Sequence, residues 1–188
     1  IAVSSLGISD AQQKRACKYM PHIVQQSAKH NIDPSIVVSM IFVESSFVPW
    51  AVSRANACGL MQVIPKYTSY RHKGKKKRYT CKELKEPSRS IRVGLKILSR
   101  LLRLTNGDMA RALCSYNAGY SGCKRGWKYP RTMGYVRRVR KAQKKIHDRM
   151  GHKPFSRDEL IHCTVEVCPG DECPCVYGED RVLYFNNE

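Results

Sequence analysis

Apolar residues recur at three- and four-residue steps over most of the first 150 positions of this chain, and alternate with polar ones only near its end. Residues 1–9 read as a lead-in. Ser9 or Asp10 caps a first short helix, and Pro21 opens a second that runs to about His30. Asp33 followed by Pro34 is the clearest start signal, an N-cap with proline in the first turn. Ile36, Val37, Met40, Ile41 and Glu44 then fall on one stripe that faces the interior. So much Val and Ile also suits a strand, but the cap and the period decide for a helix. Residues 48–60, with Pro49, Asn56 and Gly59, form a loop that wraps back past the helix end.

Residues 66–86 read as a basic surface loop centred on Lys73-Gly-Lys-Lys-Lys-Arg78, the chain's only low-complexity piece. From Ser88 to about Thr105, Ile91, Leu95, Leu98, Leu101 and Leu102 line one face, while Arg92, Lys96, Arg100 and Arg103 line the other. Asn106-Gly107 ends that helix. Asp108 caps a shorter one through Tyr116, which Asn117-Ala-Gly119 breaks. A Gly-rich basic loop at 120–131 leads to a last helix from about Thr132 to Met150. Beyond it, Thr164–Val167 and Arg181–Phe185 are short β-like stretches around Cys-Pro-Gly-rich turns, which predicts a disulfide-pinned hairpin. The expected fold is therefore an all-α helical domain with a small Cys-rich β-hairpin extension. Its parts are a lead-in with a short helix at 1–19, the helical domain at 20–150 and the extension at 151–188.

Charge divides the chain in the same place. Residues 158–188 hold eight acids against Arg181 alone, a charge of −7, so the preceding residues carry +26 of the overall +19. A body this basic is drawn to polyanions, whether nucleic acid, anionic lipid or wall polymer. The acidic extension is expected to dock on it and tune access. Nine cysteines point to an oxidising compartment with up to four disulfides, one thiol being left over. His162, Cys163, Cys168, Cys173 and Cys175 supply enough metal ligands, but lack a paired Cys-x-x-Cys spacing. Disulfides are the preferred use, and neither metal nor cofactor is expected. No apolar run reaches the length of a membrane span. No signal peptide precedes the opening Ile1, which suits a mature or trimmed form.

Glu44 is the only acid between Asp33 and Glu83. A lone carboxylate against apolar neighbours is hard to ionise, so its pKa should rise, and a proton held near neutrality is what a general acid needs. The plain alternative is a solvated or paired helix-end glutamate. Four separated motifs weigh against that: Glu44-Ser-Ser-Phe47 with Ser53, Gly59-Leu-Met-Gln62 with Pro65, Ala112-Leu with Tyr116-Asn-Ala-Gly119, and Tyr135-Val136. In order and spacing, over roughly residues 20–148, they resemble the soluble lytic transglycosylases of the lysozyme superfamily.

That resemblance implies a lysozyme-like fold with a groove for peptidoglycan glycan strands. It implies cleavage of the β-1,4 bond between N-acetylmuramic acid and N-acetylglucosamine without added water, leaving a 1,6-anhydromuramyl end. Glu44 matches the catalytic glutamate, acid first and base second. Ser53, Met61, Gln62, Tyr116, Asn117 and Tyr135 match groove positions, Tyr135 lying close to the catalytic carboxylate. The residues agree with such a mechanism. Ordinary glycoside hydrolysis uses two carboxylates, and residues 45–82 offer no second one. Asp108 is a distant candidate better explained as an N-cap.

By their residues alone, Met61 and Tyr135 are core side chains, Gln62 a loop amide, Tyr116 helix packing and Asn117 a helix C-cap. Three features depart from the family: Arg131 before Thr132, where an acid is common; Cys58 and Cys114 in or beside motifs usually free of cysteine; and the whole extension. Two rival functions remain, a hydrolytic muramidase of goose-lysozyme type and a non-catalytic basic module for wall polymer or nucleic acid. Tyr67, Tyr70 and Tyr79 are sparse platforms for the latter. The expected partner is the peptidoglycan glycan strand rather than nucleic acid. The protein is expected to act as an exported monomer (periplasmic, secreted or phage-associated) on the bacterial wall.

Overall fold

The structure is a computed structural model that describes the backbone of residues 3–126 and 130–150, and the side chains of 3–125 and 133–149. The expected extension hairpin, its cysteines and the cysteine-histidine cluster lie outside the described residues, as does the side chain of Arg131. Seven α-helices appear among those described: α1 (Asp10–His30), α2 (Pro34–Ser45), α3 (Cys81–Leu84), α4 (Pro87–Leu104), α5 (Met109–Ala118), α6 (Tyr120–Gly126) and α7 (Pro130–Met150). A two-stranded antiparallel ribbon, β1 (Tyr70–His72) and β2 (Lys75–Lys77), interrupts them. The helical expectation is met, and no helix among the described residues is long and apolar enough to cross a membrane.

The caps expected at Ser9, Asp33 and Asp108 are present, and Glu86 adds one that the sequence reading left in the basic loop. Ser9 and Gln12 close a capping box on α1. The Asp33 side chain accepts from the Ser35 N–H at 2.7 Å, and Asp108 accepts from the Arg111 N–H at 3.0 Å. Glu86 accepts from both the Ser88 and the Arg89 N–H to cap α4.

Four local expectations need correction. Pro21 opens no new helix, because α1 runs straight through it. A proline inside a helix forfeits one backbone bond, but Ala16, Tyr19 and Met20 before it and Ile23 and Val24 after it are buried together, so packing holds both halves in line. The stripe on α2 is also too modest, since every residue from Pro34 to Ile41 is buried and the helix is enclosed on all sides. The 66–86 loop contains the β1–β2 ribbon and α3. Its turn, Lys73-Gly74, has φ of +48° and +75°, the two positive values that a two-residue hairpin turn demands. Finally, the 120–131 loop begins as α6, which the Cys114–Cys123 disulfide ties to α5.

The core gathers around α2. It packs on α7 and α1, while α4 packs on α1 and α5. Polar side chains fix the α2–α7 pair at the start of α2. Gln143 Nε2 donates to Ser35 Oγ at 3.1 Å and Asp33 Oδ2 at 3.3 Å, and His147 Nε2 lies 2.9 Å from Ser35 Oγ. Both contacts come from the C-terminal half of α7, so the two helices run antiparallel, and the C-terminal end of α2 meets the beginning of α7.

Candidate active site

Glu44 stands on the last turn of α2, the point at which that helix leaves the core. Two successive non-glycine residues in the left-handed region follow it, Ser46 (φ +50°) and Phe47 (φ +61°). Such conformations need surrounding contacts to hold them. Phe47 is fully buried, and Arg15 Nε of α1 donates to its carbonyl at 3.1 Å. The Arg15 guanidinium also sits 5.9 Å from the ring of Trp50, which is 62% exposed at the edge of the loop.

The second wall is the segment 59–62. Ser45 Oγ donates to the Leu60 carbonyl at 2.9 Å, which joins it to the end of α2. Ser90 Oγ of α4 accepts from the Met61 N–H at 3.1 Å. Tyr116 of α5 donates its hydroxyl to the Met61 carbonyl at 2.8 Å. Met61 itself is fully buried, and its side chain lies over Gly94, where an added Cβ would come within 2.6 Å of the Met61 Cβ. Gly59 is required twice over: its φ is +79°, and a Cβ there would collide with the Leu84 carbonyl oxygen. Cys58 forms isolated bridges to Val52 and Val63 and a disulfide to Cys81, so the loop's base is covalently held.

Tyr135, on the first half of α7, completes the floor. It is 2% exposed, and no partner sits at hydrogen-bonding geometry to its hydroxyl. Even so, the hydroxyl and the Glu44 carboxyl are close enough that each shifts the other's ionisation. Burial pushes Glu44 up to about 7 from an ordinary 4.5, outweighing the opposing pull of the Tyr135 hydroxyl and the Arg138 charge. Burial first, and the Glu44 carboxyl second, hold both Tyr116 and Tyr135 well above the usual phenol range. Glu44 can therefore carry a proton near neutral pH, while the two tyrosines around it keep theirs.

Of the side chains singled out in the sequence, Glu44, Met61, Tyr116 and Tyr135 come together here. Ser53 and Gln62 shape the loop beside them. Ser53 Oγ accepts from the Ala57 N–H at 3.1 Å. Gln62 Nε2 donates to the Gly59 carbonyl at 2.9 Å and the Ala51 carbonyl at 3.2 Å. Asn117 is exposed within the last turn of α5, not beyond its end, and Gly119 takes the cap. Ser45, Ser90, Gly94 and Arg138 also build the site, and the motif pattern gave no hint of their contacts. Ser90 and Arg138 are separated from Glu44 by 46 and 94 positions, and only folding reveals their part.

Every other described carboxylate from Asp33 to Asp148 has a local structural partner. Asp33, Glu86 and Asp108 cap helices, Glu83 bonds Thr80 and pairs with Arg89, and Asp148 pairs with Lys144. Cys58 and Cys114, unexpected in these motifs, are both disulfide-bonded, as is Cys17.

The family model for the transglycosylase SLT domain matches residues 21–135. This chain belongs to that family. Among curated proteins, the membrane-bound lytic murein transglycosylase C of Photorhabdus laumondii is 38% identical over 116 residues, and that of Yersinia pestis (strain Pestoides F) is 34% identical over the same length. Each alignment covers 56% of this chain and 32% of the relative, so the SLT chain spans about a third of the length of those proteins. Two solved structures share its fold. An inactive mutant of the lytic transglycosylase Slt from Pseudomonas aeruginosa superposes with a TM-score of 0.59 at 22% identity, over 71% of this chain and 25% of that one. The 70 kDa soluble lytic transglycosylase from Escherichia coli gives 0.57 at 18% identity, over 74% and 25%. The SLT domain described here is thus the lysozyme-like helical unit that the motifs implied.

Proposed function

We propose that this SLT domain is a peptidoglycan lytic transglycosylase that cleaves the β-1,4 bond between N-acetylmuramic acid and N-acetylglucosamine. The observation that carries the reading is Glu44, a carboxyl raised to about 7 by burial at the end of an enclosed helix, in a site where no other described side chain is a carboxylate. In the first step Glu44 gives its proton to the bridging oxygen as the bond from the muramyl C1 to that oxygen breaks. In the second, the Glu44 carboxylate takes the proton of the muramyl 6-hydroxyl, whose oxygen bonds to C1. The products are a glycan with a free 4-hydroxyl and a 1,6-anhydromuramyl end, and Glu44 is again protonated. An internal hydroxyl acts at high effective concentration, which removes the need for a carboxylate-bound water or nucleophile.

In this scheme Tyr135 and Arg138 steady the carboxylate once the first proton has left, since both lower the Glu44 pKa. Tyr116 holds the Met61 backbone, and Asn117 presents an exposed amide to the glycan. Ser53 and Gln62 keep the intervening loop in shape. The disulfides and the basic surface suit an exported enzyme working on an anionic wall.

Mass spectrometry of fragments released from purified peptidoglycan tests the assignment. The wild type should leave muramyl ends one water lighter than a hydrolysis product, and Glu44→Gln should release none. Reducing ends instead would make the protein a goose-type muramidase, and no release by either would leave a binding module.

A further inference from the structure

The β1–β2 ribbon is built against its own stability. Its register sets Arg71 opposite Lys76, with Lys75 and Lys77 on either side, and like charges facing across a strand pair destabilise it. Residues 71–78 carry six Lys and Arg and no acid, and all of them are exposed. Among the described residues, no salt bridge involves any of the six. Glu83, at the foot of the ribbon, is engaged chiefly by Thr80 and then by Arg89, and its attraction to Lys77 is the weakest of its contacts. An isolated two-stranded hairpin is marginal in water even without such repulsion.

What holds the ribbon lies at its base. The rings of Tyr70 and Tyr79 stack with centroids 4.4 Å apart, and the Tyr79 N–H donates to Thr68 Oγ1 at 2.9 Å. The Cys58–Cys81 disulfide bonds the segment just after β2 to the loop that carries Met61 and Gln62. The result is a clamped, self-repelling cationic strip tied to the loop that carries Met61 and Gln62.

We propose that this ribbon binds the carboxylates of the peptide branches on the glycan strand held in the groove, and so seats the strand for cleavage by Glu44. The proposal rests on the peptidoglycan reading above and extends it from the sugar to the peptide. Three observations choose this occupant. Single-stranded nucleic acid is held by bases stacked on free aromatic faces, but here Tyr70 and Tyr79 stack on each other and the exposed ring of Tyr67 has the Lys66 ammonium over it, 4.9 Å from its centroid. A membrane surface is gripped by apolar side chains beside the basic ones, and residues 71–78 contain none. Four of the six cations are lysines, compact charges on flexible stems that suit mobile carboxylates rather than a fixed planar partner. Because Cys58 ties the ribbon to the groove loop, a strand lying in that groove carries its own branches past it.

Co-sedimentation with murein sacculi, run on Glu44→Gln so that the polymer stays intact, separates binding from turnover. The triple variant Lys75→Gln, Lys76→Gln, Lys77→Gln in that background should bind intact sacculi at least fivefold more weakly at low salt. The two proteins should bind alike, within twofold, to sacculi whose peptide carboxyls have been capped as neutral amides, which keeps the polymer insoluble and removes only the charge. A Lys-to-Arg triple variant should retain the binding. The Gln variant should also melt no lower than its parent, because it loses repulsion rather than support. Equal binding of the Gln variant to intact sacculi would overturn the proposal. So would undiminished binding of the parent to sacculi with amide-capped carboxyls, or tighter binding to single-stranded DNA or phosphatidylglycerol vesicles than to sacculi. Failure of the enzymatic reading shows separately, in the masses of the released fragments.

Discussion

Burial holds the Glu44 carboxyl at about 7, against 4.5 for an ordinary glutamate, so folding and proton uptake are linked at this residue. Between those pH values the folded protein keeps a proton that the unfolded chain has lost. Stability therefore falls as pH rises from 4.5 through 7 and levels off above. The partly exposed side chain moderates the effect to about 2–3 kcal/mol. Glu44→Gln has no such titration. It should be more stable than the wild type by that amount at pH 8, a Tm gain of about 5–10 °C, and the gain should vanish below pH 4.5. Scanning calorimetry at the two pH values checks this. Tyr135→Phe acts on the same carboxyl in the other sense, because its hydroxyl lowers the Glu44 pKa. Its loss should move the alkaline limb of the activity profile to higher pH and reduce kcat by about tenfold. Thermal stability should hold or rise at pH 4, where Glu44 is protonated and the deleted hydroxyl has no hydrogen-bond partner, and fall at pH 8, where that hydroxyl no longer favours the carboxylate.

At the scale of elements, segment 59–62 is placed by helices that contribute no chemistry of their own. Helix α4 presents Ser90 to the Met61 N–H and Gly94 to the Met61 side chain. The approach is so close that Gly94→Ala would force backbone or rotamer shifts, because the new Cβ meets the Met61 Cβ as well as its flexible tip. A loss of about 1–3 kcal/mol in urea denaturation is expected. Activity should fall with it, since the same residue's carbonyl holds Tyr116. Helices α2 and α5 were legible because a cap is a local hydrogen bond between residues two or three apart, and α4 because its apolar and basic residues fall on opposite faces. The β1–β2 ribbon was not. Its strands show no alternation of apolar and polar residues, and two positive φ values at Lys73 and Gly74 set its register. Continuity of α1 through Pro21 was hidden for the opposite reason: a strong local signal was overruled by burial on both sides.

Across the whole molecule, the antiparallel pair α2–α7 sets the distance between acid and tyrosine. Asp33 and Ser35 meet Gln143 and His147 at one end, and Glu44 meets Tyr135 at the other. Nearly equal travel along two helices, nine residues from Ser35 to Glu44 and eight from Gln143 to Tyr135, keeps the register. The amino-acid sequence by itself determined the helical class, the caps, the isolation of Glu44 from other acids and the motif series that marks the SLT family. All of these are matters of composition, period or neighbours along the chain. Tertiary structure alone decided that α2 is enclosed on every side, and that Ser90, Gly94 and Arg138 serve the site. It also decided that Ser53 and Gln62 turn their hydrogen bonds inward, and that a lysine run becomes a clamped ribbon. The reason is physical. Desolvation and steric approach depend on atoms brought together from distant positions, and no local pattern records which of them will meet.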